Sequence, residues 1–407
     1  MNIYLTRIAG LAAAFGFFFI SACSTQQYTL DNARETFEGG NHDQALIAVN
    51  SLLSESPDNE QLLYFKAYIL KNLAADRDQP GSRKHFYTEM KSSLNATADA
   101  EDPELTGKRD SLIVSTWQYE QDAGINLLEQ TDEIQSENIL NQAIAHFENA
   151  LTVNPDSTSA YRLKATAFYR QGDLQKAVET LQKAELTFDP LPREMEEKLA
   201  FLLLEEGHLQ QSIMHYQKLR ENHPEDVDLQ HGLVNAYILD DQHENAIGLL
   251  RGLLERDPEN YSYHHAAATE LFFYIQNSFS ELSSGDFNDQ EIEDRYELLM
   301  KDLEEAEKHY QFVKGNHPDA DEIMFITAAF YKNTANQLMI VANTQRNNLS
   351  DRLHKKARDL LLRSIPAWEA VAERNPENAE IWKSIYQVYS HLDMKEEAAK
   401  AQSNANL

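Results

Sequence analysis

Cys23 is the only cysteine in 407 residues, while fourteen histidines are spread along the chain. A single thiol allows no intrachain disulfide, no CxxC redox pair and no cysteine-based zinc site. The histidines show no metal-binding spacing. HExxH does not occur, and the adjacent His264 and His265 would point about 100° apart on a helix, so they cannot share a metal by that spacing alone. GxSxG, GxxxxGK[ST] and GxGxxG are absent as well, which removes a nucleophile elbow and the usual phosphate-cradling loops. GDFNDQEIED, at 285–294, is acidic like a calcium loop. It lacks the glycine required at the sixth position, and its oxygens fall at the wrong offsets. The expected role is the acidic tip of a helical hairpin. Acidic residues are frequent throughout, so carboxylate pairing carries no information. These patterns predict no catalytic residue, no cofactor and no metal, hence no enzyme.

The cysteine instead belongs to a leader. MNIYLTR carries one basic and no acidic residue, and the apolar run IAGLAAAFGFFFI follows, then the small residues Ser21 and Ala22. This order describes a secretory signal peptide over 1–22. The run falls short of the roughly 20 apolar residues that span a bilayer. Ile20-Ser21-Ala22-Cys23 resembles a bacterial lipobox. The resemblance implies that Cys23 is acylated and begins the mature chain. Each buried CH₂ of an acyl chain contributes roughly 0.8 kcal/mol, and more than one chain gives stable anchoring. Residues 23–30 would then be the lipidated terminus and a short tether. Where an aspartate after the cysteine retains lipoproteins in the inner membrane, Ser24 points to the outer membrane. The expected location is therefore lipid-anchored at the outer membrane, facing the periplasm.

With 66 acidic and 36 basic residues, the chain has a net charge of −30. Nucleic acid is an unfavourable partner, because its binding needs basic surface to displace counterions. A polybasic grip on anionic headgroups is excluded for the same reason. A hydrophobic share of 42% is enough for a core. With only 14 Gly and 11 Pro the chain is poor in turn formers. Long Ala-, Leu-, Glu-, Gln- and Lys-rich stretches predict an all-α fold.

A period is visible. NPDSTSAYRLKATAFYRQGDLQKAVETLQKAELTFDP (154–190) places Tyr161, Ala165 and Phe168 on one helix, Gly172 at a turn, and Ala177, Leu181 and Ala184 on a second helix. Ala200, Leu203, Gly207, Tyr216, Leu219 and Pro224 repeat the template, as do Leu233, Tyr237, Ala246, Leu250, Leu253 and Pro258. An opening unit (Ala33, Phe37, Gly40, Ala45, Leu52, Pro57) and a closing partial unit (Trp382, Ile385, Tyr389, Ala398) flank them. Small residues such as Ala165 and Ala177 allow close helix approach. The prolines stop helices, and the Asn and Asp of NPDS, HPED, DPEN, HPDA and NPEN can cap the next one.

This template resembles the tetratricopeptide repeat, and the whole pattern resembles tetratricopeptide lipoproteins of the bacterial cell envelope. The implied fold is a right-handed α-solenoid of about seven to nine hairpins, some lengthened: LFFYIQNSFSELSSG and AAFYKNTANQLMIVANTQ each overrun the expected turn. Residues 31–153 form an irregular N-terminal repeat region, with loops expected at 77–84 and 95–108. Regular repeats occupy 154–260, and elongated hairpins 261–407.

The resemblance also implies where ligands are met, on the exposed side of the first helices. By register these positions include Tyr64 and Tyr68, Arg162 and Thr166, His231 and Asn235, and Lys383 and Gln387. The expected function is a membrane-anchored, non-catalytic scaffold for protein partners of the envelope. The alternative is a ligand-binding accessory of a solute transporter, whose apolar pocket would be bordered by Phe272, Phe273, Phe325 and Phe330.

Overall fold

The computed structural model describes residues 28–98, 101–131, 136–285, 287–317, 321–344 and 348–406. The leader and Cys23 lie outside the described residues. Among those described there are eighteen α-helices and no strand.

The chain divides into two compact units, one ending at Ala167 and one beginning at Phe168. The first holds three hairpins: α1 (Leu30–Glu38) with α2 (His42–Glu55), α3 (Glu60–Ala75) with α4 (Lys84–Asn95), and α5 (Pro103–Gln130) with α6 (Glu137–Val153). The unit boundary falls inside α7 (Thr158–Gln171). The second unit continues with α8 (Leu174–Glu185), α9 (Arg193–Glu206), α10 (Leu209–Asn222), α11 (Val227–Leu239) and α12 (His243–Arg256). Two long hairpins follow, α13 (Tyr261–Ser284) with α14 (Asp289–Asn316) and α15 (Asp321–Thr344) with α16 (Asn348–Arg374). The last pair is α17 (Ala379–His391) and α18 (Lys395–Asn404). Within each unit, helices pack on their sequence neighbours and first helices on first helices, as α3 on α5 and α13 on α15. This is the stacking of an α-solenoid, in which each repeat touches only its neighbours.

Local signals explain the hairpins. Gly40, Gly172 and Gly207 turn between paired helices at φ of 80–84°, where a side chain would be strained. Asp241 and Asp393 take the same left-handed conformation where the template has no glycine. The expected caps form at three of the proline motifs: the side chains of Asp226, Asn260 and Asn378 accept from the first-turn amides of α11, α13 and α17. At NPDS it is Ser157 that caps, its Oγ accepting from Ala160 N at 3.2 Å. The HPDA motif extends outside the described residues. Ala165 and Ala177 are fully buried.

One expected loop is partly helix. Asp102 accepts from Glu104 N at 2.9 Å and Pro103 opens α5, a capped helix start that puts residues 103–108 on the first turns of a helix. At 77–84 the chain makes a short 3₁₀ turn, Pro80–Ser82, before α4.

Candidate functional site

A built concavity lies in the first unit. Tyr64 and Tyr68 lie four residues apart on α3 and therefore share a face. Their rings are 6.5 Å apart and nearly parallel, at 25°. The opposite face of α3 is anchored by Ala67, Ile69, Leu70 and Ala74, all fully buried. Asn59 starts the helix, its Oδ1 accepting from Leu62 N at 3.1 Å. At the end of α1, Phe37 extends the row, 5.4 Å from Tyr68 and edge-on to Phe65 at 5.7 Å.

These rings divide two clefts. One, of about 570 Å³, opens toward α1 and the start of α5 and is lined by Arg34, Phe37, Glu38, Gln61, Phe65, Asp102, Glu104, Leu105 and Lys108 besides the tyrosines. The other, of about 510 Å³, runs along α5 past Gly107, Ser111, Leu112 and Ser115. Together they form one groove with an aromatic ridge. The Arg34 guanidinium stands 6.0 Å from the Phe65 ring centre, and Lys108 is paired with Glu104 at 2.5 Å. Burial raises the Tyr64 phenol above its ordinary pKa, and the nearby Lys108 ammonium opposes the shift. The phenol is therefore a neutral hydrogen-bond donor at neutral pH.

The α5 wall is held from behind by a buried polar hub. Glu120 is fully buried. Its Oε1 accepts from Tyr87 Oη at 2.6 Å and Arg83 Nη1 at 3.0 Å. Its Oε2 meets His146 Nδ1 at 2.6 Å and Asn149 Nδ2 at 3.2 Å. Arg83 also donates to Arg77 O, and Asn149 to Pro80 O. One carboxylate thus ties α4, α6 and the 3₁₀ turn to α5. Burial would raise its pKa, but the hydrogen bonds from His146, Tyr87 and Arg83 hold it below the ordinary value.

The other sequence-derived positions are distributed along the chain. Arg162 and Thr166 are half-buried on α7, where the Thr166 hydroxyl donates to its own helix at Arg162 O. His231 meets Tyr263 Oη at 2.6 Å on the neighbouring first helix, with Asn235 exposed one turn on. Lys383 and Gln387 are exposed on α17. Of the phenylalanines, Phe272 touches both Phe273 and Phe330, at 5.4 and 5.9 Å. Phe330 is fully buried and Phe273 lies against His243. Phe325 stands apart, edge-on to Trp368 at 5.4 Å. His264 pairs with His309 at 2.7 Å rather than with His265. Among the described residues no group of three His, Cys, Asp or Glu side chains is arranged to hold a metal. No described helix is long and apolar enough to cross a membrane.

Sequence reasoning found the two tyrosines but missed Arg34, Gln61 and Lys108, which come from three separate helices. It also missed Glu120. A signal existed: Leu112, Thr116, Glu120, Gly124 and Leu128 are all buried at four-residue spacing. A carboxylate on such a stripe must be paired inside the fold.

Helix pairs stacked in chain order define a helical-repeat protein. Two family models, both described as tetratricopeptide repeat, match residues 134–191 and 203–271. The chain thus carries tetratricopeptide repeats, which generally serve as non-catalytic scaffolds for protein–protein interaction. No curated protein matches the chain. Among solved structures, that of Naa15/Naa10 bound to HypK-THB is 13% identical at a TM-score of 0.34, covering 92% of this chain and 62% of that one. YrrB, a tetratricopeptide protein described as having an unusual peptide-binding site, is 13% identical at a TM-score of 0.37, covering 53% and 96%. A tetratricopeptide repeat protein from Parabacteroides merdae is 10% identical at a TM-score of 0.32, covering 81% and 96%.

Proposed function

We propose that this protein is a non-catalytic scaffold of the bacterial envelope, tethered to the outer membrane by an acylated Cys23, and that the groove of its first unit holds a segment of a protein partner. The carrying observation is the Tyr64–Tyr68 ridge, which stands between two clefts on the first helices of stacked repeats. Aromatic residues are over-represented at the centres of protein interfaces because they combine large contact area with few rotatable bonds. The lipobox-like Ile20-Ser21-Ala22-Cys23 supports the tether, and the net charge of −30 supports a protein rather than a nucleic-acid partner.

The test is in-cell crosslinking of the tagged protein, followed by purification and mass spectrometry. The expected result is a defined set of envelope proteins, lost from Cys23→Ala through mislocalisation and from Tyr64→Ala/Tyr68→Ala through a damaged groove. A bait that recovers the same proteins with and without both tyrosines would overturn the groove assignment.

A further inference from the structure

We propose that the groove of the first unit recognises an extended, proline-rich segment carrying basic residues. This inference rests on the groove being the partner site.

Three observations converge on that chemistry. The first is spacing. The polyproline II conformation rises about 3.1 Å per residue, so one X-Pro pair advances about 6.2 Å. The Tyr64 and Tyr68 ring centres, 6.5 Å apart with the rings nearly parallel, recur at close to that interval. Aromatic-lined grooves dock such segments because the ligand is already ordered and loses little entropy on binding.

The second is hydrogen bonding. The Tyr64 and Tyr68 hydroxyls and the Gln61 amide donate to no protein atom among the described residues, and Arg34 has no ion pair there. A polyproline II backbone has no internal hydrogen bonds, and its carbonyls are all free to accept. A helical ligand would bring carbonyls already bonded within itself and leave these donors unmet.

The third is charge. Lys108 is paired with Glu104 and also feels the charge of Asp102, the cap of α5, whereas Glu38 at the rim has no ion pair among the described residues. Lysine or arginine flanking the prolines would meet it. From Asp102 to Ser115 the α5 wall runs for about 20 Å at 1.5 Å per residue, long enough for about six polyproline residues.

The experiment uses the full chain and a fluorescein-labelled peptide of three Lys-Pro-Pro repeats, read by anisotropy. The controls are a peptide with every proline changed to alanine and one with every lysine changed to glutamate. The expected result is saturable binding of the first peptide, weaker by about tenfold or more for either control. Tyr64→Ala/Tyr68→Ala should weaken it by about tenfold, and Tyr64→Phe/Tyr68→Phe by a few-fold, separating ring stacking from hydroxyl donation. The proposal is overturned if the alanine peptide binds as well as the proline peptide, or if neither binds. If neither binds while crosslinked partners still depend on both tyrosines, the groove stands as the partner site and only the proline-rich ligand is wrong. If that dependence is absent too, both fail.

Discussion

Burying an ionised carboxylate costs several kcal/mol unless its partners are complete, and Glu120 shows how the first unit meets that cost. Four side chains from two helices and the residues before α4 converge on its two oxygens. Removing the carboxylate would strand the Arg83 guanidinium, which is itself only 6% exposed. Glu120→Ala should therefore destabilise the first unit by about 3–5 kcal/mol. Amide hydrogen exchange should show faster opening of α4, α5 and α6 and little change in α15 and α16, because repeat stability is local. Uniform acceleration in both units would refute the local assignment. The pH dependence has a definite sign. The folded-state pKa of Glu120 lies below the ordinary 4.5, so its contribution is present above that value and is lost as pH falls through the folded pKa. Glu120→Gln should flatten the loss of α4–α6 protection below about pH 4.5. An equally steep loss in that variant would place the acid sensitivity elsewhere.

Two helices carry residues that their own propensities argue against, for opposite reasons. Gly124 sits within α5 because a Cβ there would stand 2.6 Å from Phe147 Cε1 on α6, and the Phe147 ring is fully buried. Gly124→Ala would gain up to about 1 kcal/mol of helix propensity but incur an overpacking cost of about 1–3 kcal/mol. Net destabilisation is expected in chemical unfolding monitored by α5 and α6 exchange. Pro366 interrupts the hydrogen bonding of α16 on an exposed face. An interior proline costs about 3 kcal/mol, part of which it recovers by stiffening the unfolded chain. Pro366→Ala should stabilise the α15–α16 hairpin by about 2 kcal/mol, seen as slower exchange there; an unchanged or faster exchange would mean that the proline is built into the packing. The same contrast shows what could be read from sequence. The long hairpins were legible because apolar periodicity runs on past the expected turn in LFFYIQNSF and AAFYKNTANQ. The turns at Gly172 and Gly207 were legible because glycine takes their left-handed backbone without strain. The start of α5 was not, because its first turn, PELT, has one apolar side chain beyond the proline and no period, leaving Asp102 and Pro103 as its only markers. Tyr64 and Tyr68 could be found as an aromatic pair on one helix face. Arg34 and Lys108 could not, since no local spacing links α1, α3 and α5 across about seventy residues of chain.

At the scale of the whole molecule, 66 acidic residues face 36 basic ones, and two electrostatic effects oppose each other. The ion pairs are largely on the surface, as Arg352 with Glu297 at 2.7 Å, Arg251 with Glu305 at 2.7 Å and Arg374 with Asp321 at 2.8 Å. Exposed pairs of this kind contribute about 0–1 kcal/mol each and weaken with salt. Against them stands the mutual repulsion of an excess of thirty negative charges, which burdens the compact state because folding brings those charges together. Even if every basic residue were paired, the excess would remain. Repulsion acts over many distances at once, and salt shortens its reach from about 30 Å at 0.01 M to about 3 Å at 1 M. Screening should therefore relieve more than it removes. Thermal unfolding followed by far-UV circular dichroism should show Tm rising by several degrees between about 0.01 and 0.5 M sodium chloride. A fall in Tm over that range would mean that the surface pairs form networks stronger than their individual geometry implies, and that the acidic surface is held together by its few cations.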